Sequence, residues 1–202
     1  MGRWQPDARG RLEKAAMELY RERGFENTTV AEIAERAGLT ERTFFRHYAD
    51  KREVLFGGSN FLEQFLVRKV DEAPAAMSPM EAIVAALTGV ATEIFEERHE
   101  FAQQRQAIIA ANTELREREL IKLASLATAT AEALRRRGVS DPAASLAAEA
   151  GMAIFKIAFD RWVNGPAERP LSDIIQESMQ ELSAVTTPGQ SATSESLAGQ
   201  GV

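Results

Sequence analysis

The sequence predicts an all-α protein of about nine helices. Apolar residues recur at spacings of three and four along most of the chain, whereas the alternation typical of strands is scarce. Residue patterns typical of helix starts and helix ends divide the chain into separate helical segments. With 202 residues, of which 45% are hydrophobic, the chain is long enough to build one or two cores. The predicted helices span residues 7–23, 30–37, 41–48, 51–72, 79–98, 100–111, 114–137, 142–164 and 173–185.

Capping patterns indicate where these helices begin and end. Gly24 followed by Phe25 is typical of a helix end, because glycine readily adopts a positive φ. A capping box, in which a hydroxyl residue precedes a glutamate by three positions, starts a helix at Thr29 and another at Ser78, where Pro79 follows. Further starts are indicated at Asp50, at Asp141 before Pro142, and at Leu171-Ser172-Asp173.

The first three helices carry the pattern of a helix-turn-helix. The first two each present a narrow apolar face, and the small Ala34 allows two helices to cross closely. Gly38 can take the positive φ of a tight turn, and Thr40 can cap the helix that follows. In that helix Phe44 can point to the core. The apolar faces consist of Leu12, Ala15, Ala16 and Leu19 in the first helix and Val30, Ile33, Ala34 and Ala37 in the second.

The outer face of the third helix suits the DNA major groove. Arginine can donate two hydrogen bonds to guanine, and a threonine or an aromatic ring can contact a thymine methyl group. Thr29 and Lys51 lie at helix starts that favour a phosphate, and His47 and Tyr48 can add polar phosphate contacts. The alternative is three small helices with a solvated charged face. The predicted DNA-binding residues are Thr29, Thr40, Arg42, Thr43, Phe45, Arg46, His47, Tyr48 and Lys51.

The charge of the chain is unevenly distributed. The formal net charge is −6, yet residues 1–60 contain 11 Lys/Arg against 10 Asp/Glu, and residues 61–202 contain 13 against 20. The N-terminal part is therefore the one that can face phosphate. Because its excess of positive charge is small, the positions of the individual charges matter more than their sum.

Composition excludes several other classes of protein. The chain has no cysteine, so it has no disulfide and no cysteine-based metal site or nucleophile, and His47 and His99 are its two histidines. It contains no Gly-rich phosphate loop, Gly-x-Ser-x-Gly elbow or His-Glu-x-x-His motif, so neither an enzyme nor a cofactor is predicted. The N-terminus lacks the apolar region of a signal peptide, and no apolar run approaches the roughly 20 residues of a membrane span. A soluble cytoplasmic protein without a membrane partner is expected.

Five segments of the first quarter of the chain carry a resemblance to a known family: 15–20 (AAMELY), 24–30 (GFENTTV), 33–40 (IAERAGLT), 43–48 (TFFRHY) and 50–55 (DKREVL). At this spacing they resemble the TetR/AcrR family of bacterial regulators. The resemblance implies a mostly helical homodimer that binds a palindromic operator and releases it when a small molecule enters the C-terminal domain.

Two positions depart from what this resemblance implies. The family often has tyrosine where this chain has Phe45, so a hydroxyl contact to phosphate is expected to be missing there. Glu41 is an unusual charge near DNA. It can pair with Arg42 or Arg46, or accept a hydrogen bond from a cytosine amino group.

The sequence thus predicts three regions. Residues 1–56 form a helix-turn-helix DNA-binding domain, with a linker helix from about residue 51, and residues 57–185 form a helical ligand-binding and dimerisation domain. Residues 186–202, rich in Ser, Thr, Gly, Ala and Gln, are expected to be a disordered tail. The expected partners are a double-stranded DNA operator, a small-molecule effector and a second copy of the chain. A repressor is expected, and an activator or a ligand-independent architectural DNA-binding protein stays open.

The last two helices are predicted to form the dimer interface. Helix 142–164 is apolar over so much of its surface that more than one neighbour must cover it. The protein's own core covers one side, and a second subunit is the simplest cover for the other, giving an isologous four-helix interface. The alternative is a larger monomeric core. The predicted interface residues are Ile154, Ala158, Trp162, Ile175, Met179 and Leu182.

Arg105 marks the predicted effector site, because it lies within an apolar stripe of helix 100–111. Either it is paired with a glutamate such as Glu93 or Glu149 and is structural, or it meets the anionic or polar head of a ligand in an otherwise apolar pocket. Residues 105–115 and the helix after them are similar to a subset of the family associated with acyl-CoA-like ligands, so a largely apolar or amphipathic ligand is expected. His99, beside several glutamates, is interpreted as a solvated helix end rather than a metal ligand. The predicted ligand-binding residues are Phe101, Arg105, Ile108, Asn112, Phe155 and Phe159.

Overall fold

The computed structural model describes residues 7–57 and 59–187, and within these ranges the chain forms α-helices and no strand. This confirms the predicted all-α class. The helices are α1 (Ala8–Arg23), α2 (Val30–Arg36), α3 (Glu41–His47), α4 (Glu53–Phe56), α5 (Ser59–Glu72), α6 (Pro79–Val90), α7 (His99–Ala110), α8 (Thr113–Arg136), α9 (Asp141–Val163) and α10 (Leu171–Thr186).

Helices α1 to α3 form a three-helix unit whose local geometry follows the predicted signals. The Thr29 side chain accepts a hydrogen bond from the backbone N–H of Glu32, and the Glu32 carboxylate accepts one from the backbone N–H of Thr29, so the capping box is confirmed. Gly38 has φ 65°, as the tight turn requires. Thr40 accepts a hydrogen bond from the backbone N–H of Thr43, and Phe44 is fully buried. These features fix the direction of α3 relative to α2.

The predicted linker helix 51–72 is interrupted, which corrects the sequence analysis. Helix α4 ends at Phe56, and α5 begins at Ser59. The cause lies at Gly57, which has a poor helix propensity and another glycine after it. The Gly57 carbonyl accepts a hydrogen bond from the Arg9 side chain, and a Cβ at Gly57 would lie 2.8 Å from the Tyr48 ring. The close approach of Arg9 and Tyr48 therefore requires glycine at this bend.

The predicted helix 79–98 is not a continuous α-helix in the structure. Its capping box at Ser78 is confirmed, but after Val90 the chain forms a π-helical turn at Ala91–Phe95 and a 3-10 turn at Glu96–Arg98. Turns of this kind inside helices are frequent at functional sites. The start of α9 differs as well, because Ser140 rather than Asp141 occupies the N-cap position.

Two hydrophobic cores organise the molecule. The N-terminal core is built from α1 to α4, and it also contains Ile109 and Leu115, which come from α7 and α8 and are fully buried. The C-terminal core is built mainly from α5, α6, α8, α9 and α10. The N-terminal unit therefore completes its core with residues that lie far away in the sequence.

Helix α9 runs through the C-terminal core. By length and composition it is the one described helix that could cross a membrane, but its buried side chains are part of this core, so we interpret it as a core helix. Helix α10 ends at Thr186, and residues 188–202, most of the predicted tail, lie outside the described residues.

Gly151 of α9 is required by close packing, and we predict that Gly151→Ala destabilises the protein. A Cβ at this position would lie 2.5 Å from Cγ2 of Ile83, which is fully buried and cannot move away. Overpacking of this kind costs about 1–3 kcal/mol of unfolding free energy, which offsets or exceeds the gain of less than about 1 kcal/mol in helix propensity. Urea unfolding measures the change.

The matched control is Ala85→Gly at an exposed position in the interior of α6, which reports helix propensity without a packing change. If Gly151→Ala raised stability by as much as Ala85→Gly lowers it, the packing argument would be wrong.

Candidate functional site

Helix α3 presents the exposed surface that the sequence predicted. Arg42, Arg46 and His47 are exposed, and Thr43 is half-buried. Phe45 is 55% exposed although its ring lies edge-on to the buried Phe44, with 5.5 Å between ring centroids. The helix therefore combines a buried anchor with an outer face of cations, a hydroxyl and an aromatic ring.

The two arginines of α3 differ from several arginines of the surrounding elements. Arg23 pairs with Glu32, Arg36 contacts the carboxylates of α1, and Arg52 pairs with Asp50. Within residues 7–57 and 59–187, neither Arg42 nor Arg46 has a carboxylate within ion-pair distance. Their guanidinium groups are thus available to an external acceptor such as a phosphate or a base edge.

Glu41 has no ion-pair partner in the described part of the chain. The considered pairing with Arg42 or Arg46 is therefore absent. An exposed carboxylate at the first position of α3 favours the N-terminus of the helix but repels a nearby phosphate. A hydrogen bond from a base amino group would still suit it.

The two predicted threonine caps differ in what they offer to DNA. Both are exposed. The Thr29 hydroxyl already donates to Glu32, whose pKa is lowered by the backbone N–H of Thr29, so a carboxylate occupies the start of α2. Thr40 and Thr43 share a hydrogen bond of 3.1 Å between their hydroxyl groups at the start of α3, where Glu41 lies next to the cap but the described residues show no carboxylate bonded to it. Thr40 is therefore the better placed of the two caps.

Tyr48 has an internal partner rather than a free hydroxyl. It is 4% exposed, and its hydroxyl donates to a Glu13 carboxylate oxygen at 2.9 Å. Burial raises the pKa of Tyr48 above its ordinary value, and the charge of Glu13 adds to the increase, so the hydroxyl stays protonated. We revise its predicted role from a phosphate contact to a link between α1 and the end of α3.

Lys51 also turns inward. Its ammonium group donates to the carbonyl oxygens of Phe25 at 2.8 Å, Glu26 at 3.2 Å and Thr28 at 2.9 Å, and it lies 4.4 Å from the centroid of the Phe25 ring. An ammonium has three protons to donate, so these acceptors use all of them. We therefore revise the predicted role of Lys51 from a phosphate contact to one that holds the loop between α1 and α2 in place.

The six predicted ligand-binding residues lie in two separate places. Phe101 and Ile108 pack against the N-terminal core, and the Asn112 side chain donates to the Ile108 carbonyl. Phe155 and Phe159 lie in or against the C-terminal core. The structure therefore does not bring these residues together in one pocket. The helical spacing identified one face of α7 correctly, but it could not show that this face points to the N-terminal unit.

Arg105 is a structural bridge in this structure. Its Nε donates to the Leu55 carbonyl at 2.8 Å, its Nη1 lies 3.0 Å from a Glu119 carboxylate oxygen, and its guanidinium carbon lies 5.1 Å from the centroid of the Phe56 ring. Burial lowers the pKa of Arg105, and the Glu119 charge opposes this effect. The structural alternative is thus supported, with Glu119 as the partner in place of Glu93 or Glu149.

A second ion-pair group connects the same elements. Glu53 of α4 accepts from Arg118 of α8 at 2.6 Å and lies 3.8 Å from the Lys122 ammonium. Arg105 and Glu53 thus attach the short helix α4 to α7 and α8. Sequence spacing could not find these pairs, because their members are 14 to 69 residues apart.

Four aromatic rings cluster where the π-helical turn meets α9. Phe95 on that turn lies 6.1 Å from Phe155, 5.3 Å from Phe159 and 6.3 Å from Trp162, measured between ring centroids. His99 packs edge-on to Trp162 at 4.7 Å, and its Nε2 lies 2.9 Å from the Trp162 carbonyl oxygen. The interpretation of His99 as a solvated helix end is therefore wrong. No group of three metal-ligating side chains occurs among the described residues.

The predicted dimer residues are mostly inside one protomer. Ile154, Ala158, Trp162 and Ile175 are at most 2% exposed, so within one protomer they pack in its own core rather than on a surface that a second copy can contact. Met179 and Leu182 are half-buried against the C-terminal core. The apolar residues that α9 and α10 expose are instead Leu146, at 72%, Ile157, at 53%, and Val185, at 80%. The helical pattern located the apolar stripes of α9 but did not show which of them faces the protomer's own core.

Comparison with known proteins identifies relatives along most of the chain. The family model described as "Bacterial regulatory proteins, tetR family" matches residues 12–56, and the model described as "MftR C-terminal domain" matches residues 77–187. MftR of Mycobacterium tuberculosis, a regulator named for mycofactocin biosynthesis, is 30% identical over 142 residues, which cover 68% of this chain and 69% of MftR. The regulator TcmR of Streptomyces glaucescens is 35% identical over 82 residues, which cover 41% of this chain but only 36% of TcmR.

Solved structures share the fold at lower identity. SmeT of Stenotrophomonas maltophilia, in a complex with triclosan, has a TM-score of 0.62 and 21% identity, with 94% of this chain and 99% of SmeT covered. Thermus thermophilus FadR, in complex with lauroyl-CoA, has a TM-score of 0.53 and 23% identity, with 93% and 100% covered.

The inward position of Lys51 generates a prediction that separates a structural role from a DNA contact. Lys51→Met keeps the length of the side chain but removes three charged hydrogen bonds to carbonyls, so we expect the unfolding free energy to fall by about 1–3 kcal/mol. Thermal and urea unfolding monitored by circular dichroism measure the change.

Arg42→Ala is the matched control, because it removes an exposed cation without an ion-pair partner and should change stability by less than about 0.5 kcal/mol. Unchanged stability of Lys51→Met together with uniformly weaker DNA binding would restore the phosphate contact.

Proposed function

Because this chain belongs to the TetR family of bacterial regulatory proteins, we propose that this transcriptional regulator is a repressor that binds a palindromic operator as a homodimer. A small amphipathic molecule releases it from DNA by binding to the helical domain. The observation that carries the proposal is the outer face of α3, where Arg42 and Arg46 have no carboxylate partner among the described residues and Phe45 is exposed. We propose residues 1–56 as the DNA-binding domain and residues 57–185 as the domain for ligand binding and dimerisation.

Helix α3 enters the major groove in this proposal. Its N-terminal residues lie closest to the base edges, as is usual for recognition helices. Arg42 and Arg46 donate to guanine or to phosphate, and Phe45 contacts a thymine methyl group. Thr40, Thr43 and His47 add polar contacts along the same face. Tyr48 and Lys51 support α3 from behind rather than touching DNA.

The effector is proposed to bind at the aromatic cluster around the π-helical turn. Phe95, Phe155, Phe159 and Trp162 supply an apolar surface, and His99 lies at its edge. Related folds bind molecules of this character, since FadR was solved with lauroyl-CoA and SmeT with triclosan. A ligand that separates these rings displaces the π-helical turn, which leads directly into α7.

Movement of α7 is then the route to the DNA-binding domain. Ile109 of α7 is buried in the N-terminal core, and Arg105 holds α4 through the Leu55 carbonyl. The two α3 helices of a dimer must be about one DNA turn apart to enter successive major grooves. A ligand-favoured position of α7 changes this spacing, and DNA affinity falls by the coupling free energy, typically about 1–3 kcal/mol.

The dimer is proposed to form through the outer faces of α9 and α10. Leu146 and Ile157 lie eleven residues apart on the exposed side of α9, which is three helical turns. Large apolar side chains exposed along one stripe mark an interaction surface. Two copies of α9 and α10 related by a two-fold axis cover both stripes as a four-helix interface.

Close packing of the aromatic cluster favours a second candidate function, a ligand-independent architectural DNA-binding protein. Such a protein needs no effector site, and Phe155 and Trp162 are already at most 7% exposed. It would bind DNA through the same surface but without a shared operator sequence. An activator would use the same contacts as a repressor and differ only in operator position.

Selection of genomic DNA fragments with the purified full-length protein tests the proposal. At near-physiological salt we expect an enriched palindrome with two half-sites. Arg46→Ala should relax the preference at one base pair of each half-site, by the roughly 1–3 kcal/mol that a bidentate arginine–guanine contact contributes. Quantitative binding to matched and mismatched operators measures this loss.

Arg68→Ala is the matched control, since it removes an exposed cation of α5, outside the proposed DNA-binding domain. An equal loss on all sequences for Arg46→Ala would assign Arg46 to phosphate rather than to a base. Salt-sensitive binding without any shared motif would favour the architectural protein.

Dimerisation through the exposed stripe gives a separate prediction. Leu146→Glu combined with Ile157→Glu places two charges on each side of the proposed interface, so we expect the protein to sediment as a monomer and to lose operator affinity by at least tenfold, or about 1.4 kcal/mol. Analytical ultracentrifugation measures the oligomeric state.

Leu120→Glu is the control, because Leu120 is a 57% exposed leucine on α8. It should leave the dimer intact. A dimer that survives the double substitution would place the interface elsewhere.

A further inference from the structure

A groove lies between α1 of the N-terminal unit and α7. It consists of two adjoining clefts, with volumes of 390 Å³ and 300 Å³, which share Arg21 and Gln104 as lining residues. We call it the α1–α7 groove. Together these volumes are in the range of small-molecule sites.

One end of the groove carries cations without carboxylate partners. Lys14 and Arg21 of α1 line this end, and Arg98 lines it from the turn before α7. In the described part of the chain, none of the three forms an ion pair. The Arg98 guanidinium carbon lies 4.9 Å from the centroid of the Phe101 ring, which holds it over the groove wall.

The acidic residues at this end are engaged with other groups. Glu13 accepts from the Tyr48 hydroxyl at 2.9 Å, and Glu18 lies 3.5 Å from an Arg36 nitrogen. Arg9 Nε also lies 3.4 Å from Glu13, so a cation outside the groove lining partly offsets the charge of each glutamate. This end of the groove keeps a positive excess that suits a carboxylate or phosphate group.

The opposite end is apolar. Ala107, Ile108 and Ala111 line it from α7, and Tyr20 and Phe25 line it from the end of α1 and the following loop. Tyr20 donates its hydroxyl to the Lys51 carbonyl, so its ring rather than a free polar group contributes to the wall. Positive charge at one end and apolar surface at the other define an elongated, amphipathic and anionic occupant.

We propose that the α1–α7 groove binds an amphipathic anion, with its carboxylate or phosphate group held by Lys14, Arg21 and Arg98 and its alkyl chain lying along Ala107 and Ile108. The site is separate from the aromatic cluster proposed for the effector above, so the inference goes beyond that function. An occupant touches both the DNA-binding unit and α7, and it therefore fixes their relative position directly.

Binding to two model anions tests this site. Sodium dodecanoate and dodecyl phosphate, each below its critical micelle concentration, are titrated into the full-length protein by calorimetry. We expect both to bind, and the tighter of the two identifies the head group. Dodecyltrimethylammonium has the same chain with a cationic head, so it should bind at least tenfold more weakly.

Two variants address the two ends of the groove. Arg21→Gln with Arg98→Gln removes two cations and should weaken binding of both anions by at least about tenfold. Ala107→Trp fills the apolar end from an exposed helix position and should weaken binding similarly. Arg116→Gln removes an exposed arginine of α8 whose contact is the Thr113 hydroxyl, and it should change nothing.

The alternative outcomes are distinct. If wild-type protein binds neither anion, the groove is not a site for this class of molecule. If the anions bind but both groove variants bind them as the wild type does, the molecule binds elsewhere and the inference is overturned. Operator binding by each variant without any added anion is measured separately. It reports on the proposed function, which stands even when the groove fails.

Discussion

Burial of Ile109 and Leu115 in the N-terminal core is the contact on which the rest of the architecture depends. These residues flank the turn between α7 and α8, and both are fully buried among side chains of α1 to α4. A three-helix unit of about 50 residues has too little interior to bury its apolar faces completely. The turn between α7 and α8 closes that interior, so α7 and α8 share one packed core with α1 to α4.

Charged side chains around this buried contact also join α4 to α7 and α8. Arg105 reaches from α7 to the Leu55 carbonyl of α4 and is neutralised by Glu119, and Glu53 extends from α4 to Arg118. Loss of one partner from a largely buried pair is strongly destabilising, because the remaining charge is left without compensation. The pairs therefore resist separation of α4 from α7 and α8, and a rotation of α7 carries α4 with it.

Interactions between residues close in the sequence are the ones that the sequence predicts correctly. Capping at Thr29 and Thr40, the turn at Gly38 and burial of Phe44 follow from residues three or four positions apart, and all were predicted. The roles of Lys51 and Arg105 depend on partners that lie 14 to 50 residues away, so no local pattern could indicate them.

Helix α9 shows a different limit. Ile154 and Ile157 both belong to its apolar surface, and helical periodicity describes them equally well. Which one faces the protein's own core is decided by the small Gly151, against which Ile83 packs at a distance that excludes a Cβ. A close contact on one side of a helix thus assigns the opposite side to solvent or to a partner.

The same reasoning applies to α7, where Ala102 faces the C-terminal core while Phe101 and Ile108 pack against the N-terminal one. Because α7 is shared by both cores and also forms a wall of the α1–α7 groove, we expect a ligand that displaces it to change the position of α3.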